Sequence, residues 1–190
     1  GTANIAAGPA MPRPAAVQGI LTGMELAAQA RQDGIRLLGV GEMGIGNTTT
    51  SSAVLAVLLG ADVDKVTGRG GGITEESFRK KKAVIRTAIA VNRPNRDDVI
   101  DVLAKVGGFD LAAMCGAFLG AAASRRAAVI DGVISAVAAL CAVRLCPLVR
   151  GYLIPSHASF EIGYRLAMEE MTLRPLFDLG MRLGLSLIHI

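Results

Sequence analysis

GEMGIGNTTTSS, residues Gly41 to Ser52, follows the apolar run Ile35 to Val40 and leads into Ala53 to Leu59. The order is strand, glycine-rich turn, helix, which is the signature of an α/β protein. Gly41, Gly44 and Gly46 allow positive φ and let a ligand approach the main chain with no Cβ in the way. Asn47, Thr48 and Thr49 place cap-type side chains at the start of a helix whose free N–H groups and dipole favour an anion. The stretch therefore predicts a phosphate cradle. It also holds a carboxylate, Glu42, which would repel a phosphate beside it. Glu42 is expected to face another part of the ligand, such as a ribose hydroxyl or a positively charged ring.

Outward from the cradle, the same alternation continues. Val17, Ile20, Leu21, Met24, Leu26 and Ala27 recur at helical spacing and predict an amphipathic helix over Ala15 to Gln32, before the strand. VTGRGGG, Val66 to Gly72, is a second glycine-rich loop. Thr74, with Glu75 and Glu76 in the following turn, opens a helix to about Val91, where Asn92, Pro94 and Asn95 break it. A short helix begins at Asp97 or Asp98 and stops at Gly107 and Gly108. A further helix runs from Asp110 to about Arg125. Ala127 to Ile130 is a short buried strand, Gly132 opens a helix to Leu145, and Tyr152 to Pro155 ends a strand that feeds Ser156 to Gly163 and a last helix to Met171. Strands alternating with helices predict a parallel sheet with helices on both faces, a Rossmann-like three-layer fold with ligands at the carboxyl ends of the strands. The glycine loops, Asp131 and Ser156 all fall at such ends, where they could converge on one site.

Composition sets limits on the rest. A chain of 190 residues with 52% hydrophobic and 19% charged residues suits one domain with a sizeable core. The net charge of +4 is modest, its Lys and Arg residues are scattered apart from Arg79 to Lys82, and aromatics are 4% with no Trp, so no stacking platform for nucleic acid is apparent. Cys115, Cys141 and Cys146 lie in apolar helical surroundings without zinc or redox spacing, and are expected to be reduced core residues of a cytoplasmic protein. The apolar stretches Leu111 to Ala123 and Gly132 to Val143 are shorter than the roughly 20 residues that span a bilayer. No membrane partner is expected. No signal peptide is visible, and Gly1 in place of an initiator Met is expected to mark a start inside a longer chain.

Each feature also has a plainer reading. A glycine after a strand is often only a turn, and the match of Gly39, Gly41 and Gly44 to G-x-G-x-x-G is weak by itself. Gly68 to Gly72 alone would read as a surface loop. Arg79 to Lys82 would read as a solvated helix face, although four consecutive residues cover every side of a helix and one can point inward. His157 could be a cap or a satisfied polar residue. No Ser, His and Asp order builds a triad, because no nucleophile elbow is present. A dinucleotide-dependent oxidoreductase is one alternative, with Asp62 or Asp64 at the spacing of a ribose-binding acid. A noncatalytic nucleotide-binding module is another.

GTANIAAGPAM, GEMGIGNTTTSSA, VTGRGGG, FRKKKAVI, KVGGFDLAAMCGAFLGAA, VIDGVISAVAAL, YLIPSHASFEIGYRLAMEEM and PLFDLGMRLG, in that order over nearly the whole chain, resemble successive blocks of the nicotinate-nucleotide:dimethylbenzimidazole phosphoribosyltransferases. The resemblance implies transfer of the phosphoribosyl group of nicotinate mononucleotide to 5,6-dimethylbenzimidazole, giving α-ribazole 5′-phosphate and nicotinate for the lower ligand of cobalamin. It implies no metal and no cofactor, and a homodimer at full length. Gly44, Gly46 and Asn47 match the family's first loop and would donate to the nucleotide. Glu42 matches its carboxylate, a secondary electrostatic or basic group near the reacting ribose. Gly70 and Gly71 match the second loop, Lys81 stands where the family has a Lys facing the site, and Asp131 with Gly132, and Ser156, His157 and Ser159, match the later strand-end blocks. Ser159 is a candidate phosphate ligand.

The resemblance also marks two departures. Family members continue after the RLG block with a segment whose Glu is the expected general base, whereas here Gly184 is followed by LSLIHI. Family members also carry an N-terminal region before GTAN that builds much of the benzimidazole pocket and part of the dimer interface. Residues 1–184 are therefore expected to be the central nucleotide-binding α/β portion of a larger domain, inactive alone, with 185–190 a non-native tail.

Overall fold

A computed structural model describes residues 1–180. Residues 181–184, which end the PLFDLGMRLG block, and the tail at 185–190 lie outside the described residues. Helix α1 (Arg13–Gln32) is followed by strand β1 (Leu37–Val40) and helices α2 (Asn47–Leu59), α3 (Val63–Val66), α4 (Glu75–Asn92), α5 (Val99–Val106) and α6 (Phe109–Ala123). Strand β2 (Ala127–Ile130), helix α7 (Val133–Leu145), a 3-10 turn at Pro147–Tyr152, strand β3 (Leu153–Pro155) and helix α8 (Ile162–Met171) complete the order.

The three strands form one parallel sheet in the order β1-β2-β3, flanked by helices. Val40 pairs with Ile130 and Ile130 with Pro155, so all three strands end level with one another. Whatever follows each strand is delivered to the same edge, and this is why Glu42, Asp131 and Ser156, far apart in sequence, emerge as neighbours. Ser135, in the first turn of α7, stitches the edge: its hydroxyl donates to the Val40 carbonyl at 2.5 Å and accepts from the Asp131 N–H at 3.2 Å. Ser156 donates to the Ile130 carbonyl through its hydroxyl (2.7 Å) and its N–H (3.1 Å).

Helix α7 is apolar on every side and is the centre of the core, with Ala136 to Leu140 at most 1% exposed, as expected of a helix that packs against neighbours all round. The N-terminal segment docks by backbone hydrogen bonds from Ala10 and Met11 to Lys105 and Ala104. Asn92 seals it by donating to the Ile5 carbonyl at 2.7 Å. Helices α1 and α6 meet across glycines. A side chain at Gly23 would run into the Ala113 carbonyl, and one at Gly116 into the Ile20 carbonyl, so the two backbones touch.

The helices and strands lie close to their expected bounds, with three differences. β1 begins at Leu37, two residues after the apolar run starts, because the chain turns at Gly34, at φ +80, and the Ile35 N–H is still tied to the Ala30 carbonyl of α1 at 2.9 Å. α3 is a helix that no expectation covered. Its signal is Asp62, whose carboxylate caps it by accepting from the Asp64 N–H at 2.8 Å. Cys146 is only partly buried, because it lies past the end of α7, whereas Cys115 and Cys141 are enclosed. Burial pushes the Cys141 thiol up to about 12 and that of Cys115 well above its ordinary value, so both are inert at neutral pH. Among the described residues no helix is long and apolar enough to cross a membrane.

Candidate functional site

The carboxyl edge of the sheet opens into a cavity walled by Glu42, Gly44, Asn47, Gly70, Gly71, Asp131, Gly132 and Ser159, with Met43, Ile45, Thr48 and Glu161 among the other lining residues. Four chain segments meet here: the first glycine loop, the second glycine loop, the end of β2 and the loop after β3. Gly46, Lys81, Ser156 and His157 do not form its wall and stand around or behind it.

The first loop is shaped by Glu42. Its Oε2 accepts from the Gly44 N–H at 2.6 Å and from the Asn47 side-chain amide. That amide also donates to Asp110 at 2.9 Å, at the start of α6. Burial raises the Glu42 carboxyl above its ordinary range; the bonds from Asn47 and Gly44 oppose the shift, and the charges of Asp110 and Asp131 add to it. Gly46 takes φ +94 as the α2 N-cap, a conformation that suits glycine. The expectation that Asn47, Thr48 and Thr49 cap this helix is corrected: α2 starts without a side-chain cap, Asn47 turns to two carboxylates and Thr48 accepts a hydrogen bond from Lys81. An uncapped helix start leaves its dipole and first N–H groups directed at the cavity.

Lys81 is the inward member of Arg79 to Lys82. Arg79 pairs with Glu75 at 3.7 Å, Lys80 with Glu76 at 2.7 Å and Lys82 with Asp64 at 3.0 Å, all on the outer side. Lys81 alone of the four is buried, and its ammonium donates to Thr48 Oγ1 and to the Gly68 carbonyl, both at 2.9 Å. It therefore ties the cradle helix to the second glycine loop. Burial lowers the Lys81 pKa, and the negative charge of Glu161 pushes it back up.

His157 is fully buried, so its place is the frame of the site and not its surface. The Ser156 hydroxyl donates its proton to the Ile130 carbonyl, so the 3.0 Å contact between Ser156 Oγ and His157 Nδ1 makes the Nδ1–H the donor. Asp131 Oδ1 lies 3.9 Å from the same nitrogen, and the ring stacks on Tyr164 with centroids 6.4 Å apart. Burial pushes Tyr164 up to about 12.

Two lining or supporting carboxylates, Asp110 and Glu161, were not among the expected site residues. Asp110 directly follows Gly107, Gly108 and Phe109 at a helix start, and Glu161 is the N-cap residue of α8. An acid at a helix start ordinarily reads as a dipole partner, and that hides a second role. Asp62 and Asp64 lie elsewhere: Asp62 caps α3, and Asp64 pairs with Lys82 and Arg86. No strand of the described residues lies between β1 and β2, so neither acid sits at a strand end as a dinucleotide ribose would require. A larger groove of about 710 Å³ lies at the far end of α2, but its Arg86 is paired with Asp64 and its Arg96 donates to the Leu58 carbonyl. Those cations serve structural contacts, whereas the smaller cavity brings the Glu42, Asp131 and Glu161 carboxylates and the Asn47 amide together from several segments. No group of three or more His, Cys, Asp or Glu among the described residues could hold a metal ion.

The model of a family described as Phosphoribosyltransferase matches residues 1–186. Among curated proteins, the nicotinate-nucleotide–dimethylbenzimidazole phosphoribosyltransferase of Clostridium acetobutylicum is 52% identical over 184 residues, 97% of this chain and 52% of the relative. That of Geobacter metallireducens is 49% identical over 97% of this chain and 52% of its own length. The chain thus spans about half the length of the curated relatives it matches. The crystal structure of CobT from Thermus thermophilus superposes with a TM-score of 0.92 at 40% identity, covering 98% of this chain and 55% of that one. With a family match over nearly all its residues and the glycine-lined edge cavity in place, the chain belongs to the phosphoribosyltransferase family.

Proposed function

We propose that this chain is the nucleotide-binding part of an enzyme that moves the phosphoribosyl group of nicotinate mononucleotide to 5,6-dimethylbenzimidazole, in line with the names of its relatives. The observation that carries this reading is the single cavity shared by both glycine loops, Glu42 and Ser159. Such a transfer needs a fixed phosphate, a held ribose and stabilisation of an oxocarbenium-like centre.

In the reaction, the bond from ribose C1′ to the nicotinate nitrogen breaks and its electron pair leaves with nicotinate. A benzimidazole nitrogen forms the new bond to C1′, and the proton on its other nitrogen passes to a base. The main base belongs, on this reading, to a segment after Gly184. Within this chain, the uncapped start of α2, the loop at Gly70 and Gly71, and Ser159 hold the phosphate. Glu42 holds the ribose and places negative charge beside the cationic centre as it forms. Asn47 and Asp110 keep that carboxylate aimed. Lys81 fixes Thr48 and the Gly68 carbonyl from behind, while Asp131 with Gly132, Ser156 and His157 hold the strand edge in shape. The whole enzyme works in the cytoplasm as a homodimer, and residues 1–184 are the central portion of its larger domain.

The test is nicotinate release from nicotinate mononucleotide by the full-length protein, with and without dimethylbenzimidazole. Acceptor-dependent release supports the transferase, and its fall in Glu42→Gln supports the role of that carboxylate. A folded, full-length protein that binds the nucleotide and releases no nicotinate would leave a noncatalytic binding module instead.

A further inference from the structure

The second glycine loop is held by a side chain that neither the motif nor the family blocks single out. Gly163, in the first turn of α8, has no side chain to separate it from its neighbours: a Cβ there would lie 3.0 Å from Leu55 and 3.1 Å from the Val66 carbonyl. This close approach brings the start of α8 against the loop. Glu161 then reaches over it, and its Oε1 accepts from the Gly70 N–H at 2.9 Å. Its Oε2 fills the space that a methyl group on Gly68 would need. Gly70, at φ +64, presents its N–H in this direction. Lys81 holds the Gly68 carbonyl of the same loop, and the negative charge of Glu161 acts on Lys81.

We propose that Glu161 is a positioning residue whose carboxylate latches the Gly68–Gly72 loop. The proposal rests on the reading above that this loop faces the nucleotide phosphate. The absence of a side chain at Gly68 is then explained by the carboxylate, because the Gly68 backbone needs no positive φ and Cβ is excluded only by Glu161.

Two substitutions approach the latch from opposite sides. Gly68→Ala evicts the carboxylate without altering Glu161, and the clash falls on the end of a flexible side chain, so the loop backbone tolerates it. Glu161→Gln keeps an acceptor for the Gly70 N–H and removes the charge. In the full-length protein, each is expected to weaken nicotinate mononucleotide binding about ten-fold, the order of a charge-assisted hydrogen bond. The double variant is expected to be no weaker than Gly68→Ala alone, since the two act on one contact. Glu161→Gln also removes what pushes the Lys81 pKa up, so the alkaline fall of binding should begin at lower pH than in the wild type. A merely structural acceptor would leave that profile in place.

A ligand-free readout separates the latch from the nucleotide reading: amide exchange of the Gly70 segment should quicken in Gly68→Ala. Quickened exchange in a protein that binds no nicotinate mononucleotide would uphold the latch and sink the nucleotide assignment. Additive losses in the double variant, or unchanged exchange and affinity in Gly68→Ala, would overturn the latch. So would tighter binding in Glu161→Gln, which would make the carboxylate an occupant of the phosphate position.

Discussion

The α1–α6 contact and the edge cavity are both built from glycine, for opposite reasons. Between the helices, Gly23 and Gly116 remove Cβ so that two backbones can touch, and the gain is dense packing. At the cavity, Gly44 and Gly70 omit Cβ where side chains fold onto the loops, their N–H groups are held by Glu42 and Glu161, and the surroundings are carboxylates, an amide and a buried ammonium. One region uses glycine to bring two helices together and the other to shape a polar opening. A substitution in the first should therefore cost the fold, and one in the second should cost the ligand.

The largest effect expected is from Gly116→Val, which drives a branched side chain into the Ile20 backbone. It should lower stability by about 3 kcal/mol or more, seen as a large fall in thermal midpoint. Nucleotide affinity of the molecules that remain folded should not change, and a parallel loss of affinity would erase the contrast. Next is Asn47→Ala, which removes the amide that Glu42 and Asp110 share and leaves two carboxylates facing each other. About 1–2 kcal/mol of stability should be lost, and acceptor-dependent nicotinate release should fall by a larger factor than thermal stability suggests.

Gly46→Ala forces an L side chain into the left-handed region and should cost about 1 kcal/mol. Its affinity loss should exceed that of Gly60→Ala, a control with φ +60 at the other end of the same helix. The smallest stability effect is from Glu42→Gln, and its sign is inverted. The Glu42 carboxyl is raised in the folded state, so the folded protein favours the protonated form and loses stability as pH rises through that range. Glutamine avoids the cost, and at neutral pH the variant should be more stable by about 0.5 kcal/mol, discounted for partial exposure. The advantage should vanish in acid, below the ordinary range of carboxylates. Chemical denaturation at several pH values checks this, and a destabilised variant at pH 7 would show that the bonds to Gly44 and Asn47 outweigh burial.

Much of this contrast was legible in the chain. Strand, glycines and helix in succession announced the cradle, and the strand ends at Val40, Ile130 and Pro155 announced one edge. The FRKKK run announced that one cation can turn inward, and Lys81 does so. What stayed hidden were contacts that local pattern does not encode. Gly116 within an Ala-rich helix reads like any small residue, and Asp110 like a dipole partner. Asp62 and Asp64 had the right count for a ribose acid, but no strand among the described residues carries them to the edge.

The residue pattern by itself determined the parallel α/β fold, the glycine loops and the family, because period, turn chemistry and block order are properties of neighbours along the chain. Tertiary structure alone decided which glycines serve packing and which line the cavity, that Ser156 and His157 frame it, and that Glu161 meets Gly70 across 91 residues. The reason is physical. Those outcomes depend on how closely α8 settles on Leu55 and Val66 and on which side of α4 is buried, and such distances are set by side chains that meet only when the core closes.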